Sequence, residues 1–255
     1  PNNIRGLEYL KALRQTASHI LPITVPRIGA GYHDRQAEGH IASATGIRAM
    51  IAEGDDASRY IPPEGLPPCS LALAAAHTPD PRAHLHLILS RIYDGRDPLK
   101  ALYLVDDGIE GRLIKAADRA TTLEDLVDAV KSRHWTRTRI QRLFCALINN
   151  VTTTHMTDFL AAGPLYLHLL GHTERGKTFL SETRKARRRP LIGNSSRIHS
   201  QLTRFYGAQT QEYRTAEAML ELELRATRTY TLMMKKEPGG SRNRDFYEEI
   251  RTESV

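Results

Sequence analysis

Apolar residues recur with helical spacing along most of the chain. Near its start, Leu7, Leu10 and Leu13 fall on one helix face. Residues 43–52 repeat this spacing, with Ser43 placed to cap the helix and Gly54 placed to end it. The same spacing predicts later helices near residues 80–94, 97–118, 122–132, 137–151, 173–186 and 210–225. The hydrophobic pattern therefore predicts a mainly α-helical protein.

A few short runs favour strands instead. Residues 22–28 are predicted to form a short strand that is bounded by proline and by Gly29. Residues 165–170 and 190–192 are also strand-like. Helix, strand, loop and helix over residues 1–54 are typical of an incomplete piece of an α/β unit.

The prolines at 62–63 and 67–68 indicate a hinge between this α/β part and the helical remainder. The sequence thus predicts one domain over residues 1–60 and a helical domain over residues 65–237. The polar residues 238–255 are predicted to be a disordered tail.

Composition is that of an ordinary globular protein, with 40% apolar and 25% charged residues among 255. A transmembrane helix needs about 20 consecutive apolar residues, and the chain has no such run. It also has no apolar segment typical of a secretory signal. Cys69 and Cys145 are too few for a disulfide framework or a cysteine zinc site. We expect a cytoplasmic protein that binds neither a membrane nor a structural metal.

Positive charge is concentrated in the second part of the chain. The net charge is +7, although residues 1–64 carry seven basic and seven acidic residues. Residues 131–198 carry thirteen basic residues against three acidic ones, a net charge of +10. Arginine outnumbers lysine 28 to 8, and its planar guanidinium suits phosphate oxygens. This distribution predicts a polyanionic partner.

Two basic runs, residues 133–142 and 184–189, are candidate RNA contacts. The first holds the single tryptophan, and basic residues interleaved with an aromatic ring suit an RNA backbone and an unstacked base. The alternative is that each run is a solvated helix face. The candidate RNA-binding residues are Arg133, Trp135, Arg137, Arg139, Arg142, Arg187, Arg188 and Arg189.

The start of the helix at residues 43–52 is a candidate anion site. Ser43 and Thr45 supply hydroxyl groups where free N–H groups and the helix dipole attract anions. Arg48 follows one turn later and adds a guanidinium to the same place. Taken alone the signal is weak, because any helix with a serine cap has a similar sequence.

Residues 171–178 match the P-loop pattern G-x-x-x-x-G-K-[ST] after an apolar run. P-loop proteins need a parallel sheet, however, and no alternating β-α pattern surrounds the match. The strand-like run ending at Asp106 also lies upstream of the match, whereas the Mg²⁺-binding aspartate of P-loop proteins normally follows it. A helix that opens after Gly171 is the alternative.

Six segments in collinear order resemble one family. They read PNNIRGLEY at residues 1–9, RI at 27–28 followed by YHD at 32–34, IASATGIR at 41–48, WTRTRIQR at 135–142, LYLHLLG at 165–171 and RATRTYTL at 225–232. Together they resemble the bacterial tRNA(Met) cytidine acetate ligases over about residues 1–235. The first three segments are specific when they occur together.

The resemblance implies a nucleotidyltransferase-type fold and a chemistry. Such ligases use ATP to activate acetate as acetyl-adenylate, and then acetylate the wobble cytidine of elongator tRNA(Met) to N4-acetylcytidine. By position, Asn2 and Asn3 and also Arg27 with Ile28 correspond to ATP contacts. Ser43, Thr45 and Arg48 resemble the superfamily's second phosphate motif, which would stabilise the leaving pyrophosphate. ATP, with Mg²⁺, and acetate are the implied cofactor and substrate.

One departure from the family is important. The superfamily's catalytic signature H-x-G-H is not in this sequence. We therefore expect the C-terminal remnant of a nucleotidyltransferase-type (HUP/Rossmann-like) domain, followed by a helical domain. This chain alone is expected to have no ligase activity and contains no assigned catalytic residue. The alternatives are a non-catalytic tRNA-binding module and, less favoured, a P-loop NTPase. The sequence does not determine the oligomeric state.

Overall fold

The computed structural model describes residues 2–26, 28, 39–193, 197–237, 242 and 250–253. The chain divides into two compact units, Pro1–Ser70 and Leu71–Val255. Mostly helical elements build both of them, in agreement with the hydrophobic pattern.

The first unit contains α1 (Asn2–Gln15) and α2 (Ala44–Glu53), followed by two 3-10 turns, Ser58–Tyr60 and Pro63–Gly65. The ends of α2 are set by its sequence. Ser43 caps its first turn, and Gly54 ends it in the left-handed conformation with φ 87°, which glycine adopts without a Cβ clash. The predicted helix and both of its end signals are confirmed.

The predicted strand at residues 22–28 is wrong for the residues described there. Residues 22–26 and 28 have no regular secondary structure, while Arg27 lies outside the described residues. Ile23 and Val25 are 87% and 86% exposed. A strand needs a neighbour to satisfy its N–H and C=O groups, and none pairs with this segment in the described chain.

The proline-rich segment is not an open hinge. Helix α3 (Leu66–Ala74) runs through it, with Pro67 and Pro68 in its first turn. Proline is tolerated there because the first N–H groups of a helix have no intrahelical partner. The two proline pairs thus mark a 3-10 turn and a helix start.

The second unit continues with helices. Their bounds are α4 Pro81–Ile92, α5 Arg96–Lys100, α6 Ile109–Ala117, α7 Leu123–Val130, α8 Arg137–Ile148, α9 Thr153–Ala162, α10 Glu174–Glu182, α11 Ile198–Tyr206 and α12 Gln211–Leu232. A 3-10 turn, Thr183–Ala186, follows α10.

The predicted helix at 97–118 is divided into α5 and α6. Leu104, Asp107 and Gly108 have positive φ between the two helices, and Gly108, with φ 75°, is the residue from which α6 starts. The sequence did not predict α9 and α11. Both are short, and α9 buries no residue fully.

In the part of the chain that the structure describes, four short strands form two parallel pairs. Leu167–His168 (β1) pairs with Leu191–Ile192 (β3), as the strand-like runs at 165–170 and 190–192 indicate. Gly171–Thr173 (β2) pairs with Arg251–Glu253 (β4). These last residues lie within the tail predicted to be disordered, so that prediction is wrong at residues 251–253.

Two hydrophobic cores, counted among the described residues, stabilise the second unit. The first core is built by helices α4 to α8, with Ile88, Leu113, Leu126 and Phe144 at most 1% exposed. The second core joins α11 and α12 to the strand segments and contains Ile192, Ile198, Leu202, Ala216 and Leu220.

Helix α12 links the two cores. It carries Ala216, Leu220 and Leu224 of the second core, and Met233, directly after it, belongs to the first. Arg225 of α12 donates to the Asn149 carbonyl at 2.8 Å, and the Thr229 hydroxyl donates to Asn149 Oδ1 at 2.9 Å. These bonds fix α12 to the end of α8.

Candidate functional site

The N-terminus of α2 brings together three of the predicted ATP residues. Ser43 Oγ accepts a hydrogen bond from the Gly46 N–H at 2.9 Å, and Ser43 is buried. The Arg48 guanidinium is exposed and points back towards the helix start, where it donates to the Ala44 carbonyl at 3.2 Å. Thr45 lies between them and is half-buried. Two hydroxyls, one guanidinium and the positive end of the helix dipole therefore lie within the first turns of one helix.

For the other predicted ATP-binding residues that it describes, the structure gives a position but no shared site. Asn2 and Asn3 lie in the first turn of α1, and Asn3 is exposed. Ile28 is 69% exposed, and Arg27 lies outside the described residues. Their role in ATP binding stays a prediction.

Two arginines of the basic run at residues 133–142 are bound by carboxylates of the same chain. Arg137 donates to Glu124 Oε2 at 2.5 Å and to Asp128 Oδ1 at 3.2 Å. The hydrogen bond from Glu124 raises the pKa of the Arg137 guanidinium above its ordinary value. Arg139 donates to both carboxylate oxygens of Asp106, at 2.8 and 2.9 Å. These two arginines are paired with carboxylates of the same chain and are less available to phosphates.

Trp135 is the clearest correction to the RNA-binding interpretation. It is only 3% exposed and belongs to the first core. The Arg139 guanidinium covers its ring at 3.8 Å from the centroid. A base cannot stack on a ring that is buried on one side and covered by a cation on the other. The tryptophan anchors the start of α8 and is not a stacking platform.

Several predicted RNA-binding arginines remain available. Arg133, Arg142 and Arg188 are exposed, and none of them is ion-paired within the described residues. Arg187 donates to the Leu180 carbonyl, and Arg189 donates to the Pro164 carbonyl at 2.8 Å. A carbonyl orients a guanidinium but does not cancel its charge, so both still contribute positive potential.

A cationic cleft between α6 and α7 was not among the predicted residues. Arg112, Lys115 and Arg119 line it with Asp125 and three alanines, Ala116, Ala120 and Ala129, in a volume of about 480 Å³. Counting charges along the sequence did not indicate this cleft, because residues 96–120 contain five basic and five acidic residues and so have no net charge. Only the spacing of cations at 112, 115 and 119, on one helix face, could have indicated it.

The segment that matches the P-loop pattern has a different geometry. Strand β2 passes directly into α10, which begins at Glu174, inside the matched residues. Thr173 caps α10 by accepting from the Gly176 N–H at 3.1 Å, and Lys177 pairs with Glu174 at 3.5 Å. A phosphate-binding loop needs these N–H groups free and the lysine unpaired. The segment is a capped helix start.

Neither a metal cluster nor a membrane span is present among the described residues. No group of three or more histidine, cysteine, aspartate or glutamate residues is placed to hold a metal there. None of the helices described is both long and apolar enough to cross a bilayer.

Comparison with known proteins determines the family. A family model described as HIGH Nucleotidyl Transferase matches residues 1–245. The chain belongs to this family. The match covers both units, so the helical part of the chain is included as well as the part that contains α2.

Named relatives confirm the resemblance seen in the sequence. The tRNA(Met) cytidine acetate ligase of Syntrophotalea carbinolica is 49% identical over 97% of this chain and 59% of that protein. A protein of the same name from Caldanaerobacter subterraneus is 33% identical over 92% of this chain and 55% of that protein. The chain thus spans less than two thirds of the length of these relatives.

Solved structures show the same fold. The crystal structure of apo Thermotoga maritima TmcAL matches the whole chain and 60% of its own chain, with a TM-score of 0.89 and 23% identity. A second TmcAL structure, bound with alpha-thio ATP, has a TM-score of 0.85 and 22% identity. The expected mainly α-helical fold of the nucleotidyltransferase type is confirmed.

Proposed function

We propose that this chain is part of an ATP-dependent ligase that acetylates the wobble cytidine of elongator tRNA(Met). An acetate oxygen would bond to the α-phosphorus of ATP as the bond to pyrophosphate breaks. The acetyl group of this acetyl-adenylate would then pass to the cytidine N4, releasing AMP. The observation that carries the proposal is the 49% identity, across nearly the whole chain, with a protein named tRNA(Met) cytidine acetate ligase.

The first unit would contribute to the ATP site. Ser43, Thr45 and Arg48 share one helix start, which supports an anion site for the pyrophosphate end of ATP. The exposed Arg48 guanidinium, at the positive end of the helix dipole, can stabilise the charge that develops on leaving pyrophosphate. Asn2, Asn3, Arg27 and Ile28 are proposed contacts to the rest of the nucleotide.

Mg²⁺ would be held chiefly by ATP. The α2 start offers hydroxyls and a guanidinium, and no carboxylate cluster lies in the described part of the chain. Mg²⁺ is commonly held by substrate phosphates with only one or two protein carboxylates. This donor set suits phosphate oxygens better than a metal.

The second unit would bind tRNA through its positive surface. Residues 131–198 carry a net charge of +10, and Arg133, Arg142 and Arg188 are exposed. Arg187 and Arg189 add charge from the loop that leads to β3. Arg137 and Arg139 would act on RNA only indirectly, by fixing the end of α7 and the start of α8.

A non-catalytic tRNA-binding module is the second candidate. The net charge of +10 over residues 131–198, together with the exposed Arg133, Arg142 and Arg188, favours it. Acetyl-adenylate formation tests whether this chain alone is catalytic. Incubation with ATP, Mg²⁺ and labelled acetate should give no acetyl-adenylate from this chain, and formation of the adenylate would contradict the expected inactivity.

The tRNA part is tested by binding at two salt concentrations. Elongator tRNA(Met) should bind more tightly than another tRNA, and affinity should fall steeply with salt as counterions are released. Arg142→Gln with Arg188→Gln should weaken binding without lowering stability. Wild-type affinity in this double variant would move the RNA surface elsewhere. Absence of any salt-sensitive tRNA binding would contradict the tRNA proposal for this chain.

A further inference from the structure

The cleft between α6 and α7 has a cationic side and a shallow apolar floor. Arg112 and Lys115 project from α6, and Arg119 follows two residues after its end. All three side chains belong to exposed residues. Ala116, Ala120 and Ala129 form the floor, so small side chains leave the cations accessible from solvent.

The cations of this cleft are not neutralised by the protein. In the described residues, no carboxylate lies within ion-pair distance of Arg112, Lys115 or Arg119. Arg112 does have one partner, the Lys131 carbonyl at 3.3 Å, which orients the guanidinium without removing its charge.

The acidic groups of the neighbouring helix are engaged elsewhere. Asp125 lines the cleft, but its Oδ2 accepts from the Thr121 N–H, the Thr121 hydroxyl and the Thr122 N–H at 2.7 to 3.2 Å. Glu124 and Asp128 of α7 both bind Arg137. Glu124 and Asp128 therefore hold α8, and Asp125 caps α7 but keeps its charge. With three cations and one carboxylate, the cleft lining carries a net charge of +2.

The spacing of the cations fits an extended polyanion. Residues 112 to 117 rise about 7.5 Å along the α6 axis, and Arg119 lies two residues beyond the end of the helix. A row of three cations over this stretch matches several consecutive phosphates better than one small anion. The lining contains no aromatic residue on which a base could stack, so contact would be made with the sugar-phosphate backbone.

We propose that the α6–α7 cleft binds consecutive backbone phosphates of the tRNA. This inference rests on the proposed function, and it adds a contact surface outside the basic runs identified in the sequence. The surface is independent of base identity. It would contribute affinity and salt dependence, and leave discrimination among tRNAs to other residues.

The experiment compares two triple variants of the whole chain. Arg112→Gln, Lys115→Gln and Arg119→Gln remove the cations of the cleft. The control, Arg204→Gln, Lys235→Gln and Lys236→Gln, removes the same charge from exposed residues outside it. Affinity for elongator tRNA(Met) is measured across a salt series. We expect the log–log salt slope of the cleft variant to fall by about 0.7–0.9 for each phosphate that it no longer neutralises, and that of the control to fall less.

Further measurements separate the outcomes. Since Arg112 is bonded to Lys131, the double variant with Lys115→Gln and Arg119→Gln keeps that bond, and its unfolding midpoint should match that of the wild type. A wild-type salt slope in both cleft variants would overturn the inference and leave the proposed function intact. Equal decreases in cleft and control variants would also overturn it, because only overall charge would matter. If wild-type chain binds no tRNA, the tRNA proposal itself fails and the inference fails with it.

Discussion

The contact between Trp135 and Arg139 shows how a single residue changes role between sequence and structure. Arg139 lies over the indole and binds both oxygens of Asp106, 33 positions away in the chain. Cation–π contact and a charge-assisted pair both favour this arrangement. The basic, aromatic segment that the sequence suggested as an RNA-binding motif therefore also stabilises the packing of the second unit.

Replacing Trp135 should consequently affect stability more than RNA affinity. We expect Trp135→Ala to lower the free energy of unfolding by about 3–5 kcal/mol, the usual cost of removing a large buried aromatic side chain. Trp135→Phe should be destabilised much less and should bind tRNA like the wild type. Chemical denaturation followed by circular dichroism measures the first effect, and tRNA titration the second. A stable Trp135→Phe variant with greatly weakened tRNA binding would restore the stacking role.

Substitution of Ser43 should affect stability, whereas substitution of Thr45 should affect nucleotide binding. Ser43 is buried and caps α2, so Ser43→Ala should lower unfolding free energy by about 1 kcal/mol. Thr45→Val nearly preserves shape and should leave stability unchanged, but should weaken binding of an ATP analogue if its hydroxyl contacts phosphate. Thermal unfolding and calorimetric titration check the two expectations. Identical behaviour of the two variants would contradict the division of roles.

At the scale of elements, α7 shows how a helix end can determine a neighbouring surface. Thr122 and Asp125 form a reciprocal capping box, with Thr122 Oγ1 accepting from the Asp125 N–H at 3.1 Å. Hydrogen bonds from Thr121 and Thr122 lower the pKa of the Asp125 carboxyl below its ordinary value. The same bonds occupy the acidic group that faces the cationic cleft.

This lowered pKa has a defined consequence for stability. Because the folded state favours ionised Asp125, the stabilisation is complete above the ordinary aspartate pKa of 3.8 and is lost as pH falls through the lower folded-state value. The stability difference between wild type and Asp125→Asn should therefore shrink as the pH falls below the ordinary aspartate pKa of 3.8. Thr121→Val, which removes the largest cause of the shift, should move this loss to higher pH. Parallel stability curves for wild type and Asp125→Asn would contradict the argument.

At the scale of the whole molecule, α12 couples the two cores of the second unit. Leu220 lies in the second core, whereas the only tryptophan lies in the first. If α12 makes the two cores unfold together, Leu220→Ala should lower the denaturant midpoint measured by Trp135 fluorescence. It should also lower the midpoint measured by circular dichroism. The expected cost is about 2–5 kcal/mol for a buried leucine.

Leu160→Ala is the matched control, since Leu160 is 71% exposed on α9. It should leave the fluorescence midpoint within experimental error of the wild type. A fluorescence transition that Leu220→Ala does not move would show that the two cores unfold separately.

The sequence determined the features that depend on neighbours along the chain. Helical spacing predicted most of the helices, and Ser43 with Gly54 marked both ends of α2, because capping and periodicity act over a few residues. Six collinear segments were enough to indicate the family. Local sequence was insufficient at residues 22–28, where the proline and glycine boundaries predicted a strand but no strand pairs with this segment in the described chain.

Only the tertiary structure decided which charges are available. Arg139 finds Asp106 and Arg137 finds Glu124 across the fold, so a basic run loses part of its free charge. By contrast, residues 96–120 carry balanced charge but expose three cations without ion-pair partners, among the described residues, in the α6–α7 cleft. The acidic residues of α7 instead cap that helix or pair with Arg137. Such pairing depends on distances between residues far apart in the sequence, and charge counts along the chain contain no information about those distances.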